Sequence, residues 1–327
     1  MSRLTRRGFV AAGATTLALP ALHTSASAQA WPSKPIRIVV AYPAGGQTDG
    51  IGRVFADFLT RHLGQVAVVE NKAGGGGVLG VTEVKRAPPD GYTILCTISS
   101  SLIQNRLTVK DLPYDPEKDF IYLSAVSGLG GPVVAAEKTG TTNLKQFIEY
   151  AKKVDKVNWG SYGVGSTPHV LIETMVKQYG FKVEVIQYRG EAPMWADVAA
   201  QTLDGASGSY TAASPVIQSG RGKLIAVTGD RLPPHPDTPT MKEQGAVGGF
   251  YDTRAFTAFA VPTGTPADIV NKLSEALVKA GQDAKVKQVL ENFLLGPPDT
   301  LEQISTRFKR DSGVMLEILK GLGIKPE

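Results

Sequence analysis

The sequence predicts an α/β fold of two domains, each a mainly parallel sheet flanked by helices. Three observations predict it. The chain has 327 residues, 42% of them hydrophobic, enough for two domains with cores of their own. Short apolar runs alternate with segments of helical periodicity, the pattern of strands joined by crossover helices. One kind of junction, an apolar run followed by a glycine loop and a helix start, occurs at 36–49 and again at 158–169.

The first apolar run, 36–41, reads as a buried strand. Tyr42-Pro43-Ala44-Gly45-Gly46-Gln47-Thr48-Asp49 then opens a helix whose apolar face is Ile51, Val54, Phe55, Phe58 and Leu59, spaced i, i+3, i+4, i+7, i+8. Gly64 is placed to end it, and Thr48 and Asp49 are its candidate N-caps. Gly45 and Gly46 carry no side chain to keep a ligand off the backbone. The helix start offers an anion unpaired N–H groups and a partial positive charge. A tight strand-to-helix turn without a ligand remains the alternative for this stretch.

A strand at 66–70, a glycine-rich loop at 71–77, a helix at 78–86 and a turn at 87–91 follow. The third strand, 92–98, ends in Ser99, Ser100 and Ser101. Gly75-x-Gly77-x-x-Gly80 matches the dinucleotide fingerprint in letters. The acid expected about 20 residues on is missing, and four consecutive glycines match such a pattern by chance, so no nucleotide cofactor is read. An irregular connector covers 112–119, and strands at 120–126 and 132–136 flank the glycine-rich 128–131, where the chain is expected to cross between domains. An amphipathic helix spans 143–153. The second junction, 158–169, repeats the first with Ser161, Gly163, Gly165, Ser166, Thr167 and His169, and a helix at 170–179 stops at Gly180. A strand at 181–187 leads through Tyr188-Arg189-Gly190-Glu191-Ala192-Pro193 into a helix containing Trp195. Residues 204–210 read as a loop or short strand, and 223–228 as a strand. The proline-rich 231–239 cannot be regular. A late strand at 256–261 is expected to return to the first domain. Helices at 267–280, 284–292 and 300–319 close the chain, the last with a capping-box signature at Thr300 and Gln303. The expected division is 31–129 plus 253–327 for domain 1 and 130–252 for domain 2.

Charge and cysteine content narrow the class. Arg3, Arg6 and Arg7, with no acid in residues 1–30, supply most of the net charge of +5, and the other cations are scattered. A nucleic-acid-binding surface is therefore excluded. Thr5-Arg6-Arg7-Gly8-Phe9-Val10 resembles a twin-arginine signal. It is followed by an apolar region too short to span a bilayer and by Ala-x-Ala sites ending at Ala28 and Ala30. Export to the periplasm and a signal peptide of residues 1–30 are expected, with no membrane-embedded segment in the mature chain. The lone Cys96 lies in an apolar run and excludes an intrachain disulfide.

The succession of motifs resembles the tripartite tricarboxylate transporter receptors, also called Bug proteins. It rests on Trp31-Pro-Ser-Lys-Pro-Ile-Arg37, Tyr42 to Asp49, Val69-Glu-Asn71, Pro89-Asp-Gly-Tyr-Thr93 and Tyr114-Asp-Pro116. It continues through Gly165-Ser166 with His169, Tyr188-Arg-Gly190 with Pro193, Leu203-Asp204, Gly222-Lys-Leu224 and Pro262-Thr-Gly-Thr-Pro266. Together these cover essentially the whole mature chain. The resemblance implies a periplasmic binding protein of type II-like architecture, whose domains close on a small organic acid. It places the carboxylate between Tyr42–Asp49 and Ser161–His169. It also implies no cofactor, no metal and a membrane transporter as partner. A monomer is expected.

By their chemistry, Ser161, Ser166 and Thr167 can turn hydroxyls toward an oxyanion or cap the helix. His169 reads first as a structural hydrogen bonder. Asp49 reads as a cap or a loop-fixing group, because a bare carboxylate would repel an acid. Arg189 could grip a carboxylate with two parallel hydrogen bonds, and Asp204 could orient either Arg189 or the loop. Tyr42, Tyr162 and Tyr188 could supply ring walls, and Ser99 and Ser100 the far-end contacts. A hydrolytic enzyme is the rival class, but His62, His169 and His235 have no metal-ligand spacing and no Gly-x-Ser-x-Gly elbow occurs. A periplasmic sensor feeding a signalling partner would use the same site and stays open.

Overall fold

The computed structural model describes residues 31–323, so the expected signal peptide lies outside the described residues. The first sheet contains β1 (Ile36–Val40), β2 (Ala67–Asn71), β3 (Thr93–Ile98), β4 (Phe120–Ser127) and β10 (Phe256–Pro262), in the order β2-β1-β3-β10-β4. The second contains β5 (Pro132–Ala136), β6 (Val157–Ser161), β7 (Val183–Gln187), β8 (Gly205–Ser207) and β9 (Gly222–Val227), in the order β7-β6-β8-β5-β9.

Strand and helix alternation predicts parallel pairing, and β1 does pair β2 and β3 in parallel, as β6 pairs β7 and β8. The other pairings make both sheets mixed. β10 runs antiparallel to β3 and β4, and β5 runs antiparallel to β8 and β9. These are the strands by which the chain enters each sheet from the other, and an arriving strand is not bound to the direction that a local crossover helix imposes.

The helices follow their sequence punctuation. α1 (Gln47–Leu63) buries Ile51, Phe55, Phe58 and Leu59, and ends at Gly64, whose φ of 73° lets its N–H reach Thr60 O. α2 (Val78–Lys85) packs onto β1 through Gly80. A Cβ at Gly80 would sit 2.8 Å from Ala41 Cα. Two one-turn helices, α3 (Ser99–Leu102) and α4 (Asn105–Thr108), fill a stretch that carries no strong pattern. In the second half lie α5 (Leu144–Lys153, capped by Asn143), α6 (Thr167–Tyr179), α7 (Glu191–Ala199) and α8 (Tyr210–Gln218). The α8 helix lies mostly in a stretch, 211–222, for which the sequence predicts no element. Pro215 disfavours it in sequence, but Ser209 caps it and Ala213 and Val216 are buried. α9 (Ala267–Ala280), α10 (Ala284–Asn292) and α11 (Leu301–Leu322) finish the chain, α11 with the expected Thr300–Gln303 capping box.

The chain passes between the sheets twice, at 128–131 and between β9 and β10. The crossing segments are bonded to each other: Thr228 N donates to Gly131 O at 2.9 Å, and Asp230 N to Leu129 O at 3.1 Å. α11 packs on β4 of one lobe and on α6 of the other, and the larger apolar core runs through both sheets. Among the described residues no helix is long and apolar enough to cross a membrane.

Candidate functional site

A cavity of about 140 Å³ lies where the lobes meet. A cavity of roughly this size accommodates a benzene-sized molecule. Its walls are the loops after the C-terminal ends of β1, β6, β7 and β8, together with the crossing segments. From the first lobe come Tyr42, Pro43, Ala44, Gly46, Gln47 and Thr48. From the second come Tyr162, Thr167, Gly190, Glu191, Gly208, Ser209 and Tyr210, and Thr253 to Thr257 close the base.

The first junction is shaped by its bonds. Gly46 is the N-cap of α1, and no side chain caps the helix. Thr48 and Asp49, the expected caps, lie inside its first turn. The Asp49 carboxylate instead accepts from Gly45 N (3.0 Å), Arg53 Nε (2.9 Å) and Asn71 Nδ2 (2.9 Å). Burial works against its ionisation, but these donors outweigh burial and hold its carboxyl below the usual range. Gly45, at a φ of 85°, makes the turn and is not part of the cavity wall. Tyr42 is buried. Its hydroxyl donates to Gly76 O (3.1 Å) and pairs with Ser101 Oγ (3.0 Å). Gly76 O also receives Ser101 Oγ and Asn105 Nδ2. The glycine run that matches a dinucleotide fingerprint is therefore a bonded structural turn.

At the second junction Thr167 lines the cavity, but its neighbours bond among themselves. Ser161 Oγ lies 2.8 Å from Ser166 Oγ, and Gly165 N donates to His169 Nδ1 at 2.9 Å. Gly163 N donates to Gln187 Oε1. These groups set the loop that carries Thr167. Gly165 and Gly163 also face the first lobe. A Cβ at Gly165 would lie 2.4 Å from Thr108 Cγ2, and one at Gly163 would lie 3.4 Å from Gly76 Cα.

The remaining candidates are dispersed. Ser99 and Ser100 begin α3. Ser99 lines a second, small pocket of about 20 Å³ beside Thr167 and Arg254, and Ser100 lines neither pocket. The Tyr188 hydroxyl donates to Asp197 Oδ2 at 2.5 Å. Arg189 is exposed and outside the cavity wall. Asp204 does not orient it. It precedes β8, at the opposite sheet end from the cavity loops, where its carboxylate meets Tyr150 Oη, Asn158 N and Lys138 Nζ. Cys96 is fully buried, and burial, followed by the charge of Asp49, pushes its thiol up, away from the thiolate that nucleophilic chemistry needs.

Sequence reasoning missed Glu191, Ser209, Tyr210 and Arg254. The signal was there for the first two. Gly190-Glu191 and Gly208-Ser209 are further strand–glycine–helix junctions, the same motif that singled out Gly46 and Thr167. Glu191 and Arg254 are the charged residues of the cavity wall. Arg254 is paired with Asp230, whereas Glu191 has no ion pair among the described residues.

The family and the two-lobed fold are those of known binding proteins. Residues 51–319 match the model of the tripartite tricarboxylate transporter family receptor. The chain is 30% identical over 311 residues to Protein BugT of Bordetella pertussis, covering 92% of this chain and 94% of that one. Among solved structures it is similar to the periplasmic binding protein BugD (29% identity, TM-score 0.84, 91% and 100% covered). It is also similar to R. palustris Rpa4515 with adipate (26% identity, TM-score 0.85, 91% and 100% covered).

Proposed function

Because the chain belongs to the tripartite tricarboxylate transporter receptor family, we propose that it is a periplasmic solute-binding receptor holding a small organic carboxylate between its two lobes. One observation carries the reading: the uncapped N-terminus of α1, at Gly46, forms a wall of the cavity at the lobe junction. Its first-turn N–H groups and the helix dipole suit an oxyanion. Thr167 and Tyr162 meet the same ligand from the other lobe, so the full set of contacts exists only when the lobes are together and the ligand favours closure. The adipate of the solved relative is an acid of this class. The protein binds and releases its ligand without transforming it. The lobes divide as 31–129 plus 253–327 and 130–252, a twin-arginine-type leader at 1–30 exports the chain, and membrane transporter subunits receive the closed form.

Gly46→Asp tests the site. The position has room for a side chain, its nearest neighbour being Pro43 O at 3.7 Å from a built Cβ, and Asp is a good N-cap, so the fold is retained. Its carboxylate then takes the place of the ligand's. Titration calorimetry against a panel of mono- and dicarboxylates should show binding of at least one acid to the unsubstituted protein and a loss of about a hundredfold or more in the variant. Unchanged affinity would reject the assignment.

A further inference from the structure

Glu191 presents an anion to the cavity proposed above as the site of an acid. It is the first residue of α7 and follows Gly190, which packs against Pro43 of the first lobe. Its Oε1 accepts from Ser209 N at 3.0 Å and its Oε2 from Ser209 Oγ. Ser209 is the N-cap of α8. The protein's own carboxylate thus fills the anion position at that helix start, which a second ligand carboxylate would otherwise take. An ionised carboxylate has about four acceptor sites, and Ser209 fills two. No cation of the chain pairs with Glu191 among the described residues, and Arg254 is already matched by Asp230. Glu191 is half-buried at the cavity wall, and a charge held partly out of water gains from a partner at its open acceptor sites.

We propose that Glu191 reads a hydrogen-bond-donating nitrogen at the far end of the ligand, so that the site selects nitrogen-bearing monocarboxylates over dicarboxylates. This rests on the reading of the cavity as a carboxylate site. The ligand's one carboxylate lies at the start of α1, and its ammonium or ring N–H meets the free lone pairs of Glu191. A second carboxylate there would face Glu191 directly, a like-charge contact that specific sites use to reject wrong ligands. Burial raises the Glu191 carboxyl above its ordinary range, and the two Ser209 donors work against that rise.

The test is calorimetry on the mature protein near neutral pH with matched pairs, in which an ammonium replaces one carboxylate on the same carbon chain: glutarate against 4-aminobutyrate, and adipate against 5-aminopentanoate. The expected result is a preference of about tenfold or more for the nitrogen-bearing member of the best-bound pair, falling toward parity in Glu191→Gln. If that variant does not fold, Glu191→Ser is read in the same way. Equal or tighter binding of the nitrogen-free acid, or a preference that survives the substitution, overturns the role of Glu191 while leaving the carboxylate site standing. Failure of every acid in the panel to bind overturns the site itself, and this inference with it.

Discussion

The carboxylate of Asp49 shows how single residues keep the site open. It is 4% exposed and ties together the glycine turn, the first helical turn and Asn71 at the end of β2. Because its partners hold it down, its contribution to stability is complete above its ordinary value of 3.8 and is lost as pH falls through the lower folded value. Asp49→Asn should therefore cost about 1–3 kcal/mol in urea unfolding at pH 7. The gap to the unsubstituted protein should close below pH 3.8, and a gap independent of pH would show that the charge of Asp49 is immaterial. The residue's role was only half legible. A buried acid beside glycines can be read as a loop-fixing group, but its donors Arg53 and Asn71 come from a helix face and a neighbouring strand.

At the scale of elements, the two crossing segments join the lobes side by side. Gly130 lies so close to its antiparallel neighbour that a Cβ would be 1.8 Å from Thr228 O. Backbone, unlike a side-chain tip, cannot turn aside. Gly130→Ala should therefore destabilise by about 1–3 kcal/mol, the usual cost of overpacking, measured by chemical denaturation. A neutral substitution would mean that the segments separate without cost. The amphipathic helices and buried strands were legible because their periodicities are local. The short α3 and α4 and the proline-containing α8 were not, because packing and the Ser209 cap outweigh weak or adverse propensity there.

For the whole molecule, the lobes meet through glycines. Gly165 against Thr108, Gly163 against Gly76 and Gly190 against Pro43 bring backbone to the opposite lobe with no side chain between. Gly165 also needs its φ of 74°. Gly165→Ala should hold the lobes apart and weaken ligand binding on the order of tenfold, the effect of a strain of 1–3 kcal/mol borne by the closed form. Small-angle scattering should show ligand-induced compaction in the unsubstituted protein and less of it in the variant. Equal compaction would remove these contacts from the closing mechanism.

Punctuation and periodicity, which are properties of neighbours along the chain, sufficed to place the strands, the amphipathic helices and the glycine junctions at Gly46 and Thr167. They could not show that β5 and β10 run against their neighbours, that Asp204 lies at the far end of its sheet from Arg189's loop, or that Glu191 and Ser209 meet beside the loop of Tyr42. Those facts depend on which end of which sheet each junction reaches, and that is set by long-range pairing of strands far apart in sequence.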